Sequence, residues 1–348
     1  MNALVDPAAP VGVIANPAAA TDIRRVVANA TGMPIADRAN TVLRVLAALG
    51  ACGVPRVLMM PEKGGIGRNL TRSLRRERNL GRTGLPVLHF TATPVTGTVA
   101  DTHAATRAMA AAGVQAIVVL GGDGTHRAVA GCCGEAFIAG ISTGTNNAFP
   151  EHREPTITGL AVGLAVTGRV PAATALQPNK MLQVTISDGR GGRRSDVALV
   201  DVSVTTEPYV GARALWRSET LREIFVTFAD PEAIGLSAVA GLLRPVGRRE
   251  PHGLRVELQP PDEAATVLRA PIAPGLITPV GVRRYETLAA QETISLHHER
   301  GMISLDGERE LHLRPGDRAE LTLLPNAFRT LDVGAVMRYA AQHRLLTR

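Results

Sequence analysis

Two short runs of this chain combine residue types suited to handling phosphate. The first, Gly121-Gly122-Asp123-Gly124-Thr125, ends the apolar stretch Val118-Val119-Leu120; the second, Ser142-Thr143-Gly144-Thr145-Asn146-Asn147, follows an apolar stretch ending at Ile141. Glycine lets backbone N–H groups approach a bulky anion without obstruction by a Cβ. A helix starting behind the first run favours negative charge at its N-terminus, with Thr125 as the expected cap. Thr143, Gly144, Thr145, Asn146 and Asn147 offer a second set of neutral donors. Asp123 would repel a phosphate, so its chemistry lies elsewhere: taking a proton from an attacking hydroxyl, or holding a divalent cation. Phosphoryl transfer is the reaction that joins these properties. The run is not a P-loop, which ends in Lys-Ser/Thr, because the only two lysines, Lys63 and Lys180, sit in no such sequence.

The elements around these runs place both on one rim. Aliphatic runs at 11–15, 56–60, 86–90, 116–120 and 136–141 read as strands, with helices at 41–49, 98–112 and 125–133 between them. Apolar strands without polar alternation imply burial on both faces, hence a Rossmann-like, mostly parallel α/β sheet. Ligands bind such sheets beyond the carboxyl ends of the strands, where both runs fall. Asn16, at the end of the first strand, is placed to donate to a nucleotide phosphate, and as the residue before Pro17 it also suits a turn. His126 and Arg127, on the first turn behind the motif, either reach a polyphosphate or lie exposed on the helix. Arg72, Arg75, Arg76 and Arg78 read as a solvated helix face, with a landing zone for a triphosphate or polyphosphate as the alternative. A helix over 154–166 closes this part. Beyond it, runs at 181–187, 196–204, 224–228, 253–258, 293–296, 301–305 and 319–323 alternate or carry β-branched residues, which predicts a β-rich, sandwich-like second domain. Residues 333–346 return to helical spacing.

Gly-Gly-Asp-Gly-Thr after an apolar strand resembles the NAD kinase and diacylglycerol kinase superfamily. Ile14-Ala15-Asn16-Pro17 is similar to the strand-to-Asn-Pro entry of those kinases. Leu236-Ser237-Ala238, closed by Gly241-Leu242-Leu243-Arg244-Pro245, resembles the Leu-Ser-Ala-Gly-Gly-Pro segment of NAD kinases. Leu305-Asp306-Gly307-Glu308, with Pro315-Gly316-Asp317 after it, resembles a late Asp-Gly hairpin found in both branches. The branch most resembled is the NAD-kinase-like acetoin catabolism protein X. It is marked by the stretches Gly-Gly-Asp-Gly-Thr-His-Arg-Ala-Val and Ser-Thr-Gly-Thr-Asn-Asn-Ala-Phe-Pro and by Val210-Gly211-Ala212-Arg213-Ala214-Leu215-Trp216.

The resemblance implies several roles. Asp123 would be the general base or a metal-linked carboxylate. Asn16, Gly121, Gly122, Gly124, Thr125 and residues 143–147 would hold the donor nucleotide, with ATP and Mg²⁺ as cofactors. Asp306 and Glu308 would have a metal or catalytic role of the lipid-kinase kind, with an Asp-Gly hairpin turn as the alternative. Asp201 and Ser237 would face the acceptor. The C-terminal segment would return to the first domain, giving a division into 1–155 with 326–348 and 156–325. A homodimer or homotetramer is implied as well. Departures concentrate at the acceptor end. Ala198-Leu199-Val200-Asp201-Val202 stands where NAD kinases carry Ala-Leu-Asn-Glu-Val, and Ala229-Asp230-Pro231-Glu232-Ala233-Ile234 stands where they carry Thr-Gly-Ser-Thr-Ala-Tyr. A site built on hydrogen bonds discriminates strongly when partners are missing.

Composition bounds these readings. At 348 residues with 45% apolar content the chain can bury a large core over two domains. Its net charge of +7 comes almost wholly from arginine, which binds phosphate bidentately. Zinc-ligand spacing and aromatic platforms are missing, which argues against nucleic acid as a partner. Cys52, Cys132 and Cys133 form no disulfide framework and suit a reducing compartment. No signal-peptide pattern or membrane-length apolar run occurs, so a cytoplasmic protein without a membrane partner is expected. The function expected is an NAD-kinase-like phosphotransferase carrying a phosphoryl group from ATP, or another nucleotide or polyphosphate, to a hydroxyl of NAD or a related small metabolite. The alternatives are a soluble lipid-type kinase and a catalytically silent nucleotide-binding regulator linked to acetoin catabolism.

Overall fold

The strands 11–15 and 116–121 are apolar throughout, and both become central strands buried on two faces. In the computed structural model, which describes residues 9–17, 33–81, 84–144, 147–206, 219–296, 301–307 and 309–347, β1 (Val11–Ala15), β2 (Arg56–Met59), β3 (Val87–Phe90), β4 (Ala116–Gly121) and β5 (Phe137–Ser142) form a parallel sheet in the order β3-β2-β1-β4-β5. Side-chain alternation divides its core. Val11, Val13 and Ala15 point to one face, with Val42, Val45, Leu46 and Leu49 of α1 (Ile35–Ala51). Ile14, Ile117, Val119 and Ile138 point to the other, with Ala105 and Met109 of α3 (Val99–Ala111) and Val129 of α4 (Asp123–Ala130). Full burial of each such aliphatic side chain contributes about 1.5–3 kcal/mol. Helix α2 (Ile66–Asn79) connects β2 to β3; Ile66, Leu70 and Leu74 bury one side, and the arginines occupy the rest.

Glu154 caps α5 (Pro155–Val166) by accepting from Ile157 N at 2.9 Å, with Pro155 in the first turn. After the short helix α6 (Ala172–Ala175) the chain turns antiparallel. Strands β6 (Leu176–Ser187), β7 (Arg193–Ala198), β13 (Thr293–Leu296) and β16 (Arg318–Leu331) extend the first sheet, continuing its order as β5-β16-β6-β7, with β13 on β16. A second, antiparallel sheet has the order β11-β12-β10-β9-β8-β14-β15, from β8 (Asp201–Thr205), β9 (Leu221–Val226), β10 (Gly253–Gln259), β11 (Thr266–Ala273), β12 (Leu276–Leu288), β14 (Gly301–Leu305) and β15 (Arg309–Leu313). Leu182, Val184 and Leu321 of the first sheet meet Val202, Phe225 and Ile303 of the second in a shared core. Helix α7 (Leu236–Leu243) packs Val239 and Ala240 on the second sheet with Ile224 and Leu254.

The architecture is therefore α/β: a parallel Rossmann-like sheet, a β-rich second unit, and a C-terminal helix, α8 (Val333–Gln342), whose Val333, Val336 and Ala340 join the core of the first sheet. Strand β16 itself crosses the 325/326 division of the chain, pairing with β6 over most of its length and with β5 at Thr330↔Ile138.

Two expectations change. The single strand expected over 196–204 is two strands, β7 in the first sheet and β8 in the second, parted at Leu199-Val200. There the Asp306 carboxylate takes the N–H groups that a continuous strand would have paired. Strand β16 outruns its expected end because a register shift between Leu324 and Phe328, with Asn326 at φ 51°, carries the strand past Pro325. Among the described residues no helix is long and apolar enough to cross a membrane.

Candidate active site

Strand β4 ends at Gly121, and Gly122 (extended, φ −94°, ψ −171°) caps α4 without a side-chain bond. The helix starts at Asp123, so Thr125 lies inside the first turn and is not the cap expected from the sequence. The Thr125 hydroxyl instead accepts from Asn16 Nδ2 at 3.1 Å, tying the β1 exit to the motif helix. Glycine is required in this turn: a Cβ at Gly121 would lie 2.6 Å from Thr125 Cβ, and one at Gly122 would lie 2.8 Å from Asn147 Oδ1.

The second bend packs directly on the first. Thr143 N donates to Gly121 O at 3.4 Å, and Asn147 Nδ2 to Ser142 Oγ at 2.8 Å. Asp123 makes the closest link: its carboxylate accepts from Ala148 N at 3.0 Å and from Phe149 N at 2.9 Å, and the residue is only 8% exposed. Asn16, Gly121, Gly122, Asp123, Gly124, Thr125, Thr143, Gly144 and Asn147 thus gather at the carboxyl ends of β1, β4 and β5. Thr145 and Asn146, expected in the same set, lie outside the described residues, as do Glu308 and the 210–216 stretch.

Sequence reasoning missed two arginines here. Arg38, 1% exposed, donates from Nε to Met33 O at 3.0 Å and from Nη1 to Asn16 O, fixing the β1 exit. Its signal was legible: Arg38 shares a helix face with Val42, Val45 and Leu49, an apolar position for a cation. Arg248 comes from the loop before β10 and carried no local signal. Its Nη2 donates to Ala148 O at 2.8 Å and Phe149 O at 2.9 Å, while its guanidinium lies 4.9 Å from the Phe149 ring centroid and 4.2 Å from that of Phe228. Burial pulls the Arg248 pKa below the usual arginine value, opposed by Glu151, Asp123 and Asp230. The segment whose N–H groups hold Asp123 therefore has its carbonyls held by Arg248.

The remaining expected residues separate from this center. His126 is wholly buried, not on an exposed turn. Its Nδ1 lies 2.9 Å from Gly122 O, which can only accept, so a proton sits on Nδ1. Burial pushes its pKa down to about 4. Its Nε2 occupies space that a Cβ on Gly140 would fill. Arg127 donates to Leu305 O at 2.9 Å and lies 3.9 Å from Asp306 Oδ2.

Asp306 corrects the metal expectation. Its side chain is fully buried; Oδ1 accepts from Leu199 N at 3.0 Å, Val200 N at 2.8 Å and Asp201 N at 3.3 Å, and Oδ2 from Leu199 N at 3.1 Å. Burial raises its pKa, with Arg127 and these N–H groups opposing. A carboxylate so engaged shapes the strand crossing and does not fit a Mg²⁺ ligand. Ser237 is likewise fully buried and donates to Phe228 O at 2.9 Å, so its hydroxyl serves the start of α7 and does not face an acceptor. Asp201 is buried beside Asp306, its carbonyl accepting from Asp306 N at 2.9 Å. Among the described residues, no group of three or more His, Cys, Asp and Glu side chains is arranged to hold a metal ion.

Residues 11–168 match the family described as the ATP-NAD kinase N-terminal domain, and residues 157–326 match the acetoin catabolism protein X C-terminal domain. Acetoin catabolism protein X of Cupriavidus necator is 55% identical over 336 residues, covering 97% of this chain and 93% of that protein. The crystal structure of yeast NADH kinase complexed with NADH is similar in fold, with a TM-score of 0.54 over 96% of this chain and 86% of that one, at 12% identity.

Proposed function

From the premise that this chain belongs to the acetoin catabolism protein X family, we propose that it is an NAD-kinase-like phosphotransferase. The donor is ATP, or another nucleoside triphosphate or polyphosphate, and the acceptor is a hydroxyl on NAD or a related small metabolite. The observation that carries this reading is the joining of two glycine-bearing bends through Asp123 on the carboxyl rim of a parallel sheet. Phosphoryl transfer demands alignment and charge neutralisation more than covalent help from the protein. The bends supply backbone N–H groups for the donor's terminal phosphates, and Asp123 takes the proton of the attacking hydroxyl.

In the arrangement described, both Asp123 oxygens are held by Ala148 and Phe149 N–H groups. In this reading the Ala148 and Phe149 N–H groups share or release the carboxylate when the attacking hydroxyl gives up its proton. Mg²⁺ would neutralise phosphate charge on the donor when bound, and Asp306, committed to backbone N–H groups, would not be among the residues that hold it. Two features support an acceptor other than the NAD kinases' dinucleotide. The chain has Val200-Asp201 where those kinases carry Asn-Glu, and its second half matches a family of its own. The reading includes a cytoplasmic homodimer or homotetramer, divided into units 1–155 with 326–348 and 156–325.

Incubation of purified protein with ATP, Mg²⁺ and NAD, then with a panel of hydroxyl metabolites, tests the proposal; a phosphorylated product must appear and must vanish in Asp123→Asn. A second reading, a nucleotide-binding regulator without turnover, is favoured by the closed state of Asp123. Thermal stabilisation by ATP with no product from any acceptor would select it. Absence of any nucleotide shift would remove both.

A further inference from the structure

A second site lies on the same rim, outside the residues used above. A groove of about 710 Å³ opens at the ends of β2 and β3 and along α2, lined by Lys63, Arg68, Arg72 and Arg75 together with Glu62 and Phe90. Arg68, Arg72 and Arg75 follow one another at helical-turn spacing, so they share one face of α2, and all four cations are exposed. Like charges at this spacing destabilise a helix. Several arginines elsewhere are answered by carboxylates, such as Arg255 by Glu223, Glu257 and Glu286, Arg309 by Asp196 and Arg329 by Glu135. Among the described residues, Arg68, Arg72 and Arg75 have no such partner.

The single acid in the lining does not answer them. Glu62 turns its carboxylate to Gly65 N at 2.8 Å and Gly67 N at 2.7 Å, so it caps α2 and occupies its first amides. Attraction in the groove therefore comes from side-chain cations and not from the helix terminus. The groove adjoins the β1 exit: Gly64 packs so closely on Pro17 that a Cβ there would lie 2.4 Å from Pro17 Cβ, and neighbouring Asn16 bonds Thr125.

We propose that this groove binds a small oligophosphate group, two or three linked phosphates, at a site separate from the glycine bends. Guanidinium groups in a row match successive phosphate oxygens bidentately. The volume suits a small ligand. A single aromatic, Phe90, gives no stacking track for a nucleic acid strand. The inference does not depend on the kinase reading, since it concerns binding alone.

Isothermal titration of the full chain with sodium tripolyphosphate at low ionic strength tests it, with and without a saturating non-hydrolysable ATP analogue. The wild type should bind tripolyphosphate in both conditions, far more tightly than orthophosphate, and more weakly as salt is raised. Arg68→Gln/Arg72→Gln/Arg75→Gln should lose affinity by about tenfold or more, as expected for three exposed charge contacts, with melting unchanged. The single variant Arg72→Glu should move in the same direction if the triple variant is poorly folded. Undiminished binding by the folded triple or single variant, no binding by the wild type, loss of binding under the ATP analogue, or tighter binding of a short single-stranded oligonucleotide would each overturn the proposal.

Discussion

Removing the Asp123 carboxylate tests the site most directly, because the structure gives that group a measurable structural duty. In Asp123→Ala, the N–H groups of Ala148 and Phe149 lose acceptors now at 3.0 and 2.9 Å. A buried donor left without a partner costs about 1–3 kcal/mol. Phe149 is buried and pays this in full, whereas half-buried Ala148 can recover part of it from water. The expected loss is about 2–4 kcal/mol, which for a chain of 348 residues lowers Tm by about 3–6 °C. Asp123→Asn keeps one acceptor oxygen and sets an NH₂ against the other N–H group, so it should lose roughly half as much. Differential scanning calorimetry without ligand, with urea unfolding for ΔG, measures both variants. An alanine variant melting within about a degree of the parent would refute the claim that this carboxylate joins the two bends. Loss of turnover by itself would not discriminate, since it follows from either a chemical or a positioning role.

Other substitutions probe the surrounding framework. His126 is neutral and buried with its pKa near 4, below its unfolded value of 6.5. The unfolded chain alone takes up this proton between those limits, so stability is present above pH 6.5 and falls as pH drops toward 4. The wild type should lose about 2–3 kcal/mol more than His126→Gln between pH 7 and 4.5 in paired urea titrations; equal losses would refute it. Asp306→Asn should cost about 2–4 kcal/mol in urea unfolding while leaving the Mg²⁺ dependence of any activity unchanged; a shifted Mg²⁺ requirement would restore the metal role. Arg248→Lys keeps the charge but loses the fork and the ring contacts, and should destabilise by about 2 kcal/mol or more, checked by the same unfolding assay.

The first strand is legible because it is an unbroken apolar run bounded by Pro10 and Asn16, and Val11–Ala15 has the same limits in sequence and structure; Thr293–Leu296 and, in the second sheet, Gly301–Leu305 keep their limits too. Helix α2 shows in the sequence only as the arginine-bearing face at 72–78, without its limits. Its apolar positions, Ile66, Leu70 and Leu74, are a thin stripe within a polar sequence. The hairpin of β11 and β12 was missed too, since exposed Val267, Ile277 and Tyr285 blur its alternation. The glycine bends could be read because each is local and short. Arg248 and Asp306 could not: their partners lie 100 and 107 residues away at the extremes, and only the folded chain brings them together. An acidic Asp-Gly turn looks the same in sequence whether it binds a cation or three amides.

Ala148 and Phe149 are claimed from both sides, their amide hydrogens by the Asp123 carboxylate at the start of α4 and their carbonyl oxygens by the Arg248 guanidinium from the loop before β10. Opposite charges pulling on the two ends of the Ala148–Phe149 peptide unit, at Ala148 O and Phe149 N–H, polarise it in one sense, so each bond strengthens its counterpart. Replacing Asp123 and Arg248 together should thus cost less than the sum of the single losses, and a double-mutant cycle would read that shortfall as the strength of the linkage through the Ala148–Phe149 segment.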